Sequence, residues 1–203
     1  MNGKEEVWEI AERFRQETLQ EQYQVLPVDV FTLAEVNLKL NVVLFDDLFS
    51  KHKSDAAILL DFSGIYVDAE AYILWENGPL WKQKRLRFSV AHELGHYALH
   101  HEIASKLKFN SLEEFRQWTR TNNGQKYSLE QAANEFAGRL LVPIDRLNSY
   151  FDEFAARFDK EFPQWRDNEG MRRMFSTSVS DKFGVNADVI ECRLDREELW
   201  PAV

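Results

Sequence analysis

The chain has 203 residues, a length suited to one domain with a real hydrophobic core and too short for a multidomain assembly. With 44% hydrophobic and 29% charged residues and only 8 Gly and 5 Pro, the composition excludes disordered and fibrous classes. A net charge of -9 would repel a phosphate backbone, which argues against direct nucleic-acid binding. No run approaches the roughly 18 apolar residues of a membrane span. The single Cys192, with no basic-then-apolar leader at the start, points to a reducing cytoplasm.

In chain order, Val7, Ile10, Ala11, Phe14 and Leu19 recur every three or four positions and predict an amphipathic helix over 5–19. Pro27 is expected to open a second helix through Val36, because proline suits a first helical turn. The segments 41–45, 56–61 and 65–68 read as strands of a small antiparallel three-stranded sheet. From Leu80 to about Ile103 the pattern is that of one long helix, whose Lys82, Lys84, Arg85 and Arg87 read as a solvated face. A short helix over 110–118, with Ser111 and Glu114 as a reciprocal cap, and a turn at Asn122-Asn123-Gly124 follow. Ser128 is expected to cap a helix over 129–141, which Pro143 ends. A helix over 144–160 carries an aromatic stripe, Tyr150, Phe151, Phe154 and Phe158, read as core. Two more helices, near 171–183 and 186–194, flank a stop at Gly184.

Four of the five histidines, His92, His96, His100 and His101, fall within ten residues, and the first two frame His92-Glu93-Leu94-Gly95-His96. Four residues along a helix are about 6 Å and about 40° of rotation, so both imidazoles leave one face close enough to share a Zn²⁺ ion. Glu93 projects beside that ion, where it can handle the proton of a water molecule. Gly95 costs about 1 kcal/mol inside a helix relative to alanine, which makes sense if another backbone comes close beside the metal. A catalytic zinc takes three protein ligands, and Glu130 is the preferred third, with Asn134 one turn on as a hydrogen-bond partner of a ligand imidazole. Glu135, about 140° around from Glu130, is the alternative ligand, its plainer reading being a solvated acid beside Arg139. His100 is too far along the helix to share an ion with His92 and reads as a supporting or structural residue. Tyr97, His101 and Tyr127 are candidates to face a developing oxyanion, and none is assigned.

The blocks Arg87-Phe88-Ser89-Val90-Ala91-His92-Glu93-Leu94-Gly95-His96-Tyr97-Ala98-Leu99-His100 and Glu130-Gln131-Ala132-Ala133-Asn134-Glu135-Phe136-Ala137-Gly138-Arg139-Leu140-Leu141-Val142-Pro143 resemble the ImmA/IrrE family of zinc metallopeptidases. Leu26-Pro27-Val28-Asp29, Gly64-Ile65-Tyr66-Val67-Asp68 and Phe183-Gly184-Val185-Asn186 extend the similarity over roughly 25–195. The resemblance implies an α+β zincin-like fold, with Zn²⁺ on His92, His96 and Glu130 and Glu93 as general base. It further implies cleavage of a helix-turn-helix repressor, which here would act in trans. The expected layout is a single metallopeptidase domain over 1–203, with an N-terminal helix in 1–24 and a C-terminal helical extension over 165–203. A peptide substrate is expected to add as a strand beside Ile65–Asp68. The rival reading is a metal-stabilised module that sequesters a regulator without cutting it.

Overall fold

The computed structural model describes residues 3–104, 111, 113, 114, 117 and 129–200. Helix α1 (Lys4–Leu19) buries Val7, Ala11, Arg15 and Leu19, one stripe at four-residue spacing. The buried Arg15 guanidinium donates from its two terminal nitrogens to the carbonyls of Leu140, at 3.0 Å, and Tyr23. Helix α2 starts at Val30 and continues from Leu33 to Asn37 as a π turn. Pro27 stands outside it, contrary to expectation. The Asp29 carboxylate accepts from the amides of Phe31 and Thr32 at 3.2 and 3.1 Å, and that side-chain cap sets the start.

The sheet consists of β1 (Asn41–Phe45), β2 (Ala56–Ile58) and β3 (Gly64–Asp68), with helix α3 (Leu48–His52) between the first two. Strand order is β1-β3-β2. β2 and β3 are antiparallel, pairing Ala56 with Val67 and Ile58 with Ile65, but β1 and β3 are parallel, from Asn41 with Gly64 to Phe45 with Asp68. The sheet is therefore mixed, not antiparallel throughout. Helix α3 carries the chain across to β2, the turn at Leu59–Ser63 reverses it, and β3 returns between its predecessors running with β1. Alternation of side chains reports that a segment is a strand and is blind to its direction. A second correction follows from the order: Ile65–Asp68 is the central strand and offers no edge to a substrate.

Helix α4 (Ala69–Asn77) follows β3 directly. Its start is set by Asp68, which accepts from the Ala71 amide at 3.0 Å through one oxygen and from the Phe49 amide of α3 at 2.9 Å through the other. Neither α3 nor α4 was expected from apolar periodicity, and both depend on this one buried carboxylate. The long helix α5 (Leu80–Ala104) crosses the sheet and packs along α6 (Leu129–Leu141). Leu86, Val90, Ala91 and Leu94 from α5 meet Ala132, Phe136, Ala137 and Leu140 from α6 in the main core.

Helices α7 (Ile144–Phe158), α8 (Glu169–Phe183) and α9 (Ala187–Arg196) complete the fold. Phe151 and Phe154 of the aromatic stripe pack edge-on against Phe175 with centroids 5.6 and 5.2 Å away, around the fully buried Trp165. Gly184, at φ +63°, ends α8 in the left-handed conformation that a glycine adopts without strain. The basic cluster on α5 is not a solvated face. Lys84 pairs with Asp181, Arg85 makes a two-pronged contact with Asp55, and Arg87 donates to the carbonyls of Val28 and Gly184. Of the helix expected over 110–118 only residues 111, 113, 114 and 117 are described, and there the Glu114 amide donates to Ser111 Oγ at 3.1 Å; the turn at 122–124, Tyr127 and Ser128 lie outside the described residues.

Candidate metal centre

Three side chains from two helices converge. His92 and His96 leave one face of α5, and Glu130 faces them from the first turn of α6. His92 Nε2 lies 3.1 Å from His96 Nε2 and 3.3 Å from Glu130 Oε2, and His96 Nε2 lies 3.6 Å from Glu130 Oε1. Ligands at about 2.0–2.1 Å from a tetrahedral Zn²⁺ stand about 3.3–3.4 Å apart, so this triangle has the size of one face of such a site. Two neutral imidazoles and a carboxylate are also a donor set that zinc accepts. The residues present fit a metal ion.

What stands behind each ring sets its tautomer. Asn134, one turn beyond Glu130, places Oδ1 at 2.9 Å from His92 Nδ1, so Nδ1–H donates and Nε2 keeps its lone pair. His96 Nδ1 lies 2.9 Å from His100 Nδ1. Burial of His100 drives its pKa down to about 4, which keeps this ring neutral and able to accept the proton of His96 Nδ1. For His92, burial opposes the charged form, but the hydrogen bond with Glu130 and the charges of Glu93 and Glu130 outweigh it, so its pKa is raised. Two carboxylates therefore attract a cation to this point.

Glu93 is buried, with its carboxylate against β2. Its Oε2 accepts from the backbone N–H of Ile58 in β2 at 2.7 Å. Spacing along the helix could not reveal this contact, because Ile58 is 35 residues away and reaches Glu93 only through the packing of β2 on α5. Gly95 touches the α6 backbone: a Cβ there would stand 3.0 Å from the Ala133 carbonyl oxygen and 3.1 Å from its Cα. The close approach inferred from the sequence is thus that of the helix bearing Glu130.

The alternative ligand is placed elsewhere. Glu135 is buried on the far side of α6, where it accepts from Trp8 Nε1 at 3.0 Å and pairs with Arg193 at 3.4 Å and Arg196 at 2.8 Å. It is neither solvated nor part of the metal cluster. Tyr97 and His101 line a cleft of about 510 Å³ against Ile10 and Phe14 of α1. Only His92, His96 and Glu130 form a cluster able to share an ion among the described residues.

A family model described as the IrrE N-terminal-like domain, Peptidase_M78, matches residues 63–195, which include α5, α6 and every residue of the cluster. Leu26–Asp29, part of the resemblance noted above, lies before the matched span. No curated protein matches the chain. No helix among the described residues is long and apolar enough to cross a membrane. With about two thirds of its length matched and an α+β, zincin-like arrangement around the cluster, the chain belongs to the IrrE N-terminal-like peptidase family.

Proposed function

We propose that the protein is a zinc-dependent endopeptidase that cuts a helix-turn-helix repressor in trans, in a reducing cytoplasm. The observation that carries the metal assignment is the triangle of His92 Nε2, His96 Nε2 and the Glu130 carboxylate. A bound zinc supplies Lewis acidity, which activates water and the scissile carbonyl near neutral pH. Glu93 takes the proton of the attacking water on its carboxylate and returns it to the leaving amine. The Ile58 N–H holds that carboxylate in position from the sheet side. Asn134 and His100 keep a proton on Nδ1 of the two histidines, so each Nε2 faces the shared point. We take residues 1–203 as one domain, which is supported by Val7 and Ala11 of α1 and Ile190 and Leu194 of α9 joining the same core as α5 and α6.

Elemental mass spectrometry on protein purified without added zinc or chelators tests the metal. About one zinc per chain, lost in His92→Ala, is the expected result; no metal and no uptake on adding zinc would remove the assignment. Glu93→Gln is expected to keep the zinc and to lose peptide hydrolysis by at least about a hundredfold. Full repressor relief by Glu93→Gln would instead favour sequestration of a regulator without cleavage.

A further inference from the structure

A cavity of about 360 Å³ opens between α5, α6 and α9, within the range of small-ligand sites. Helical spacing explains which side chains line it. Phe88 stands one turn before His92 on α5. Gln131 and Asn134 share a face of α6 at three-residue spacing, and Val189 and Cys192 do the same on α9. Two of these residues tie the cavity to the metal cluster. Gln131 follows Glu130 directly, and Asn134 also holds His92 Nδ1 at 2.9 Å. The cavity therefore begins on the Nδ1 side of His92, one imidazole ring and one hydrogen bond from the point that Nε2 faces.

We propose that this cavity takes an apolar side chain, of the size of leucine or phenylalanine, from a substrate residue flanking the cut bond, and so helps to select that bond. The inference rests on the peptidase reading above. Its walls do not recruit charge. Glu135 is paired with Arg193 at 3.4 Å and Arg196 at 2.8 Å, and the exposed Asp188 with Arg173 at 2.6 Å, so each of these charges already has its counter-charge. The Phe88 ring, the Val189 methyls and the Cys192 thiol offer apolar surface instead. The occupant follows from the distance to the cluster. Residues of an extended peptide rise about 3.3 Å each, so a side chain next to the reacting carbonyl reaches past one imidazole ring. The same ion group fastens α9 to α6 through the buried Arg193, which gives the cavity its shape before a substrate arrives.

N-acetyl-leucine hydroxamate and N-acetyl-glycine hydroxamate are the probes, because the hydroxamate chelates zinc and the two differ only in the side chain. Calorimetric titration of the zinc-loaded full chain is expected to give a dissociation constant at least about tenfold lower for the leucine compound. Cys192 is the only cysteine, so its alkylation by iodoacetamide, read by intact mass, reports on this cavity alone. The leucine compound at saturation is expected to slow that labelling at least about fivefold relative to the glycine compound. Cys192→Trp fills the cavity from an exposed position and is expected to erase the advantage of the leucine compound. Should that variant misfold, the labelling of the wild type decides. Equal affinities in the wild type, unchanged labelling under the leucine compound, or a folded Cys192→Trp that keeps the preference each overturn the proposal and leave the zinc reading standing. If neither compound binds, the proposal falls, and the zinc content of the same sample shows whether the peptidase reading falls with it.

Discussion

Glu130 and Glu135 lie five residues apart on one helix and face different surroundings. Glu130 closes the triangle with His92 and His96, and Glu135 is the acceptor at the centre of Trp8, Arg193 and Arg196. Their alanine variants should part cleanly. Glu130→Ala is expected to lose zinc in an elemental assay while the fold persists. Glu135→Ala should retain zinc in whatever fraction folds, but leave the 2% exposed Arg193 with Glu197 alone and Trp8 Nε1 without its acceptor, costing on the order of 1–3 kcal/mol in denaturant unfolding. Loss of zinc in Glu135→Ala with unchanged stability would reverse the two roles. The sequence already named Glu130, on the argument that it shares a face with Asn134. The role of Glu135 was out of reach there, because Trp8 and Arg193 come from the two ends of the chain and nothing local announces them.

Among the elements, the pairing of α5 with α6 sets the distance between the histidines and Glu130. That distance is set where Gly95 meets Ala133, within one turn of His92, His96 and Glu130. Gly95→Ala gains helix propensity of about 1 kcal/mol, yet its Cβ would press on backbone, which cannot rotate away as a side chain can. The helices must then move apart by a few tenths of an ångström. Gly95→Ala is expected to lower zinc affinity about tenfold or more, measured by competition with a chelator. Gly138→Ala is the internal comparison, since its Cβ would meet only the Arg193 side chain, at 3.1 Å, and zinc affinity should be unchanged. Equal effects of the two would show that spacing of the helices is not what limits the site.

For the whole molecule, the proposed ligands sit on the two helices that form the main core, so metal and fold are thermodynamically linked. Chelation is expected to lower the midpoint of thermal unfolding, and added zinc should raise it in a concentration-dependent way. The metal-free chain should still unfold in one transition, because the apolar residues of α1, α5, α6 and α9 belong to one cluster rather than to separate units. A first transition confined to α1 or α9 would show that these helices are appendages. The net charge of -9 is spread over a surface whose basic residues on α5 are already committed, Lys84 to Asp181 and Arg85 to Asp55.

The sequence by itself determined the long helix, the histidines on one face of it and the identity of the family, and it led to Glu130 as the proposed third ligand. All of these rest on spacing within one helix or on residues adjacent in the chain, where the geometry of 3.6 residues per turn is enough. Most helix positions followed for the same reason. What only the tertiary structure decided is the direction and order of the strands, the Ile58 amide on Glu93, and the buried ion group around Glu135. Each of these joins segments distant in sequence through backbone groups or buried charges. A backbone amide has no residue-specific signature, and a buried carboxylate reads like a solvated one until its partners are brought to it.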